Sequence, residues 1–170
     1  MFENQNANVP IHEINISEYI FCFSLDKLKI GLFLKDVFKV IRAIEVSPLP
    51  GAPPIIKGVI NINGKIIPVV NFRKRLKLKE KAISTNQVII IAHSESYEFC
   101  FLADEIEGLK PYNNLNYSTS GTKLHKSDEI IQGIAIVENE IILVHDINTF
   151  LTPKEEEQTT AAIEKNELNQ

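Results

Sequence analysis

The feature that most constrains this chain is a repeat. Residues 55–76, IIKGVININGKIIPVVNFRKRL, align without a gap on residues 130–151, IIQGIAIVENEIILVHDINTFL. Gly58 meets Gly133, Asn63-Gly64 meets Glu138-Asn139, Ile66-Ile67 meets Ile141-Ile142, and Asn71 meets Asp146. Each copy reads as strand, two-residue turn, strand and short helix. β-Branched residues on both sides of the turn favour strands. Asn-Gly suits a type I′ turn, in which both central residues need positive φ. Asn71 and Asp146 can each open the helix, because a side-chain oxygen there accepts an otherwise unpaired backbone N–H.

A weaker pair of segments flanks this repeat. Residues 19–41 and 88–110 each read as strand, turn, strand, ending FLKDVFKVI and FLADEIEGL. Each half of the chain therefore holds two hairpins. Two hairpins and a linking strand make a small barrel of about five strands. The 170 residues suffice for two such barrels, and neither would hold much core alone, so the two should pack together. The expectation is an all-β, internally duplicated fold of two packed five-stranded barrels. The repeat leaves open how strands are exchanged between them. Residues 1–16 read as a flexible arm, 17–151 as the folded domain, and 152–170 as a polar tail, disordered or a frayed helix, with Pro153 blocking continuation of what precedes it.

The register of the first hairpin follows from its turn. Ile62 faces Lys65 and Ile60 faces Ile67, while Asn61 opposes Ile66 and Val59 opposes Pro68 on the other face. Pro68 cannot donate a ladder hydrogen bond, so it points to an edge that is blunted or covered by a partner.

Chemistry is harder to find. The net charge is −4, whereas a general nucleic-acid binder carries a basic excess. The stretch FRKRLKLKEK keeps one alternative of a different class, a small-barrel RNA binder using Arg73, Lys74, Arg75 and Lys77. Alternation with Leu76 and Leu78 fits better an amphipathic element whose charged side faces water. Cys22 and Cys100 sit among aromatic and aliphatic residues and read as small buried hydrophobes. His12, His93, His125 and His145 show no ligand spacing. Asp104, Glu105 and Glu107 read as a solvated loop or cap rather than an acid–base set. No phosphate-cradling loop or nucleophile elbow occurs. No apolar run approaches the roughly 20 residues of a bilayer span, and the N-terminus lacks the pattern of a secretory leader. A cytoplasmic binding module without cofactor, metal or catalysis is expected.

The stretch PLPGAPPIIKGVININGKIIPVVNFRKRL (48–76) resembles the signature region of CheW-like proteins, and the likeness extends over about residues 17–151. The proline-rich approach, Gly58, Asn61, Gly64, Pro68 and Arg73 fall in family positions. The resemblance implies two SH3-like barrels and a non-catalytic adaptor that joins chemoreceptors to the histidine kinase CheA in arrays beneath the membrane. It implies two partners, the regulatory domain of a CheA-type kinase and the cytoplasmic tip of a methyl-accepting chemoreceptor, without nucleic acid or direct membrane insertion. Receptor contact is expected at Val37, Lys39 and Asn63, and kinase contact at Gly58, Val59 and Ile66. The family usually has arginine where this chain has Asn63 and glutamate where it has Lys39, an ion pair near the receptor surface. Both members are replaced here. Losing one member of a partly buried pair can cost about 3–5 kcal/mol, and replacing both avoids orphaning a charge. The expected consequence is a sound fold with altered receptor preference, or an adaptor that binds the kinase or array without coupling.

Overall fold

In the computed structural model, residues 15–112, 117–118 and 131–167 are described; the expected N-terminal arm and His125 lie mostly or wholly outside them. The strands are β1 (Tyr19–Leu25), β2 (Leu28–Phe33), β3 (Val37–Arg42), β4 (Ile56–Ile62), β5 (Lys65–Val70), β6 (Val88–His93), β7 (Glu98–Ala103), β8 (Glu105–Pro111), β9 (Tyr117–Ser118), β10 (Ile131–Val137) and β11 (Glu140–His145). Two α-helices join them, α1 (Phe72–Arg75) and α2 (Pro153–Glu167).

The strands form two sheets, and the order within each shows the exchange that the repeat left open. Sheet 1 runs β8-β1-β2-β11-β10-β9 and sheet 2 runs β3-β6-β7-β5-β4. Each sheet therefore joins one hairpin from the first half of the chain to one from the second. The joints are parallel pairs, Val144 with Gly31 in sheet 1 and Val69 with Cys100 in sheet 2. Superposing the halves carries one joint onto the other. Beyond β4, Ser47 pairs with Val59, as Ser118 of β9 pairs with Ile134. The duplication thus extends to topology as well as to sequence.

Both turns of the strong repeat have the expected backbone. Asn63 and Gly64 have φ of 52° and 88°, and Glu138 and Asn139 have 53° and 66°. The Asn61 side chain accepts a hydrogen bond from the Gly64 N–H at 2.8 Å. The register of the first hairpin is the one expected from its turn. Pro68, however, lies inside a sheet. Val59 gives both backbone groups to Ser47, so the Pro68 nitrogen faces β7, where the ladder only begins at Val69. The missing donor is tolerated by local register and not by an edge.

Burial follows the duplication. Ile20, Cys22, Ala135, Ile142 and Val144 fill sheet 1, and Ile89, Ile91, Ile60, Ile67 and Val69 occupy the matching places in sheet 2. Cys22 and Cys100 are buried and unpaired, one in each of these clusters, as their apolar surroundings implied. Burial pushes the Cys22 thiol up to about 12. A larger core joins the sheets, built on Phe23, Phe72, Phe99, Phe101 and Phe150. Phe72 and Phe150 stack at 4.3 Å between centroids. They follow the capping residues Asn71 and Asp146, whose oxygens accept the N–H groups of Lys74 and Asn148. Each cap thus fixes where the chain inserts an aromatic ring into the shared core.

The expectation of a disordered or frayed tail is corrected. Residues Pro153–Glu167 form a helix. Pro153 occupies its first turn, where no N–H partner is needed. Thr152 and Glu155 form a reciprocal capping box: the Thr152 N–H donates to the Glu155 carboxylate at 2.8 Å and the Glu155 N–H donates to the Thr152 hydroxyl at 3.3 Å. Thr159 and Ala162 are buried, and Arg75 binds Glu155 at 2.6 Å. Among the described residues no helix is long and apolar enough to cross a membrane.

Candidate interaction surface

Val59 and Ile66, two of the three expected kinase contacts, line one groove of about 450 Å³ on the outer face of the β4–β5 hairpin. Asn61 and Gly64 share its floor, Leu49 of the proline-rich loop forms one wall, and Ile163 of α2 forms the other. α2 was not anticipated as part of this surface; the Thr-Pro-Lys-Glu capping signal was there to find it. Gly58, the third residue, has a structural task. A Cβ there would lie 2.3 Å from the Ser47 carbonyl oxygen, so glycine lets the loop strand close on β4. It also sits at a register shift between Ile56 and Val69–Val70, a bulge that re-aims the hairpin.

The expected receptor residues sit on two elements, β3 and the turn between β4 and β5. Val37 and Lys39 lie on β3, at one side of sheet 2. Lys39 pairs with Ile91 of β6, and beyond β3 the chain reaches β4, where Ser47 pairs with Val59. Lys39 is exposed, and among the described residues no hydrogen bond or ion pair links it to Asn63. Of the two outcomes open to Lys39, extension into solvent is the one found. Between Val37 and Lys39 the β3–β6 register shifts, and Phe38 projects outward with 67% of its surface exposed. Sequence reasoning passed over Phe38. The signal was the adjacency of two apolar residues in DVFKV, which breaks strand alternation.

The basic segment is amphipathic as expected, with Leu76 and Leu78 packed against the core and Lys74, Lys77, Lys79 and Lys81 exposed, but one of its cations departs from that pattern. Arg73 is buried. Its guanidinium binds Asp26 at 2.7 and 2.9 Å and Asp104 at 2.5 Å. Asp104 also accepts from Gln87 and from the backbone N–H of Asp26, and Lys81 lies 3.2 Å away. Asp104 is therefore no solvated loop acid. Burial raises its pKa, but these hydrogen bonds and the Arg73 charge outweigh burial and hold it below the ordinary carboxylate value. Hydrogen bonding from Arg73 likewise holds Asp26 low. Glu107 binds Lys29 at 3.3 Å. With Arg73 and Arg75 both tied to carboxylates, half of the cations of the RNA alternative are occupied within the fold.

His145 is fully buried. Its Nδ1 lies 2.9 Å from the Leu143 carbonyl, its Nε2 is buried without a hydrogen-bond partner, and its ring meets Phe72 edge-on. Burial lowers its pKa to about 4. It is a structural residue, as expected, though more deeply buried. Among the described residues no cluster of His, Cys, Asp or Glu could hold a metal ion.

Comparison with known proteins agrees with this architecture. Residues 19–159 match the CheW-like domain. The chemotaxis protein CheW of Bacillus subtilis is 27% identical over 140 residues, covering 82% of this chain and 90% of that protein. Protein FrzA of Myxococcus xanthus is 31% identical over 90 residues, covering 53% of this chain and 56% of FrzA. The crystal structure of the scaffolding protein TtCheW from Thermoanaerobacter tengcongensis shares the fold, with a TM-score of 0.72 at 24% identity, covering 82% of this chain and 95% of that one. The matched span takes in both exchanged hairpin pairs, both capped aromatic insertions and the hairpin and loop sides of the groove; the chain belongs to the CheW-like family.

Proposed function

We propose that this chain is a non-catalytic chemosensory adaptor that couples chemoreceptors to a CheA-type histidine kinase. The observation that carries the reading is the CheW-like match across residues 19–159, which spans both sheets, together with relatives named as chemotaxis proteins. The kinase regulatory domain is assigned to the groove bearing Val59 and Ile66, with Gly58 holding the hairpin at its angle. The receptor tip is assigned to the β3 face and the hairpin end, with Val37, Lys39 and Asn63. The protein reaches the membrane only through these partners, within receptor arrays. A second reading, an adaptor that joins kinase without coupling it to receptor, is favoured by one observation: Lys39 and Asn63 stand where the family has its charge pair, and among the described residues no hydrogen bond or ion pair links them.

Calorimetric titration with an isolated kinase regulatory domain and, separately, with a receptor cytoplasmic hairpin tests both readings on wild type and Asn63→Arg. Equimolar kinase binding with receptor affinity raised by the arginine supports an adaptor whose receptor site has drifted. Failure of both forms to bind either partner would show that the fold serves another task.

A further inference from the structure

The bulge on β3 has a counterpart in sheet 1. There the β1–β8 register shifts between Gly108 and Ile106, so Glu107 is the bulged residue. Glu107 is held by Lys29 of β2, which also binds Glu140 at 2.7 Å. In sheet 2 the residue corresponding to Lys29 is Glu98, and the residue corresponding to Glu140 is Lys65. Those two again form an ion pair, with the signs reversed. Reversal leaves no cation to hold a bulged acid, and the bulged residue is Phe38. It stands edge-on to His93, with centroids 5.2 Å apart, and its outer surface is bare. Val40 and Ile44 on the same segment are exposed by 37% and 39%. In sheet 1 the equivalent position serves the fold with an ion pair; in sheet 2 it offers an aromatic ring to solvent.

Exposed Phe38 and Val40 are flanked by Lys39 and Arg42, both exposed and neither in an ion pair among the described residues. β3 ends its sheet, but the bulge bends it, which disfavours addition of a partner strand. A helical partner meets the surface through side chains and does not need a straight edge. We propose that Phe38 is the principal anchor of this protein for its receptor, inserting between the two helices of the receptor hairpin at a cleft flanked by carboxylates that face Lys39 and Arg42. This inference rests on the receptor assignment above. It names a residue that replaces, in apolar form, the recognition lost with the family's charge pair.

The test is titration of wild type, Phe38→Ala, Phe38→Leu and Lys39→Glu with a soluble receptor cytoplasmic hairpin and with a kinase regulatory domain. Removing a buried aromatic anchor at an interface lowers affinity by roughly tenfold or more. Phe38→Ala should do so for the receptor, Phe38→Leu should retain most of the affinity, and Lys39→Glu should weaken binding in low salt more than in high salt. Kinase affinity should be unchanged in all three, which also reports that they fold. Receptor affinity unchanged in Phe38→Ala overturns the anchor and leaves the adaptor reading standing. Wild type that binds kinase but no receptor hairpin overturns the receptor assignment and the anchor with it.

Discussion

The two places where a capped helix meets the turn of a partner hairpin are built on the same backbone and differ in charge. At the first, Arg73 follows the cap Asn71 and reaches Asp26 in the β1–β2 turn and Asp104 after β7. At the second, the repeat places Asn148 where Arg73 stands and Glu95 where Asp26 stands. The contact survives in neutral form: the Glu95 N–H donates to the Asn148 side chain at 2.9 Å. Asp36, the last residue before β3 as Asp104 is the last before β8, then has no arginine. Burial raises its pKa; Lys35 offsets this in part, and the charges of Asp146 and Glu95 add to it. One junction is locked by an ion cluster; at the other, burial and neighbouring acids outweigh a single lysine. The duplication kept geometry, set by turns, caps and apolar alternation, and let the charge pattern drift.

The largest expected effect comes from unlocking the first junction. Arg73→Ala removes the guanidinium that bridges Asp26 and Asp104, leaving Asp104 with Lys81 and Gln87; the lost charge-assisted hydrogen bonds cost about 2–3 kcal/mol, read as a lowered midpoint in urea unfolding. The equivalent Asn148→Ala should cost less, about 1 kcal/mol for a neutral hydrogen bond; equal losses would erase the distinction between the junctions. The pH dependence has matching signs. Asp26 and Asp104 have folded pKa values below their unfolded ones, so their stabilisation is present above the ordinary carboxylate range and is lost as pH falls through the lowered values.

His145 adds a second acid-labile element beside the shared aromatic core. Its folded pKa of about 4 lies below its ordinary value, so the unfolded chain takes up its proton first. Stability should fall by about 3 kcal/mol as pH drops from neutral through that window. His145→Leu should flatten this segment of the stability–pH curve, and an unchanged slope would contradict it.

Gly58→Ala tests whether the first hairpin depends on close approach. The clash with Ser47 should cost roughly 1–3 kcal/mol; stability equal to wild type would show that the loop yields freely. The smallest effects belong to the acidic junction. Asn148→Arg restores a cation among Asp36, Glu95 and Asp146 and should stabilise by up to about 1 kcal/mol in low salt, fading in high salt. Asp36→Asn should leave stability at neutral pH unchanged or slightly raised. The folded pKa of Asp36 lies above its unfolded one, so its penalty is present above the folded value and disappears as pH falls below the unfolded one.

Local chemistry made much of this fold legible. Asn63-Gly64 fixed a turn, the turn fixed a register, and Asn71 and Asp146 marked caps. The pairing of hairpins across halves was not legible, because either partner offers the same aliphatic face. Pro153 was misread because proline ends one helix and begins another, and only Thr152 and Glu155 decide between the two. For the surface, Val59 and Ile66 were found together in one groove. Phe38 was missed because a bulge, which period-two alternation cannot foresee, turned it outward. Arg73 and Asp104 are distant in sequence and meet only through the exchange of strands.

The most direct measurement of the central claim is kinase autophosphorylation in a reconstituted mixture of kinase, receptor-bearing membranes and this protein. Activity that becomes dependent on receptor only when the protein is added, and loses that dependence with Phe38→Ala, is the predicted result. Activity indifferent to the protein, at concentrations where it binds the kinase, would contradict coupling.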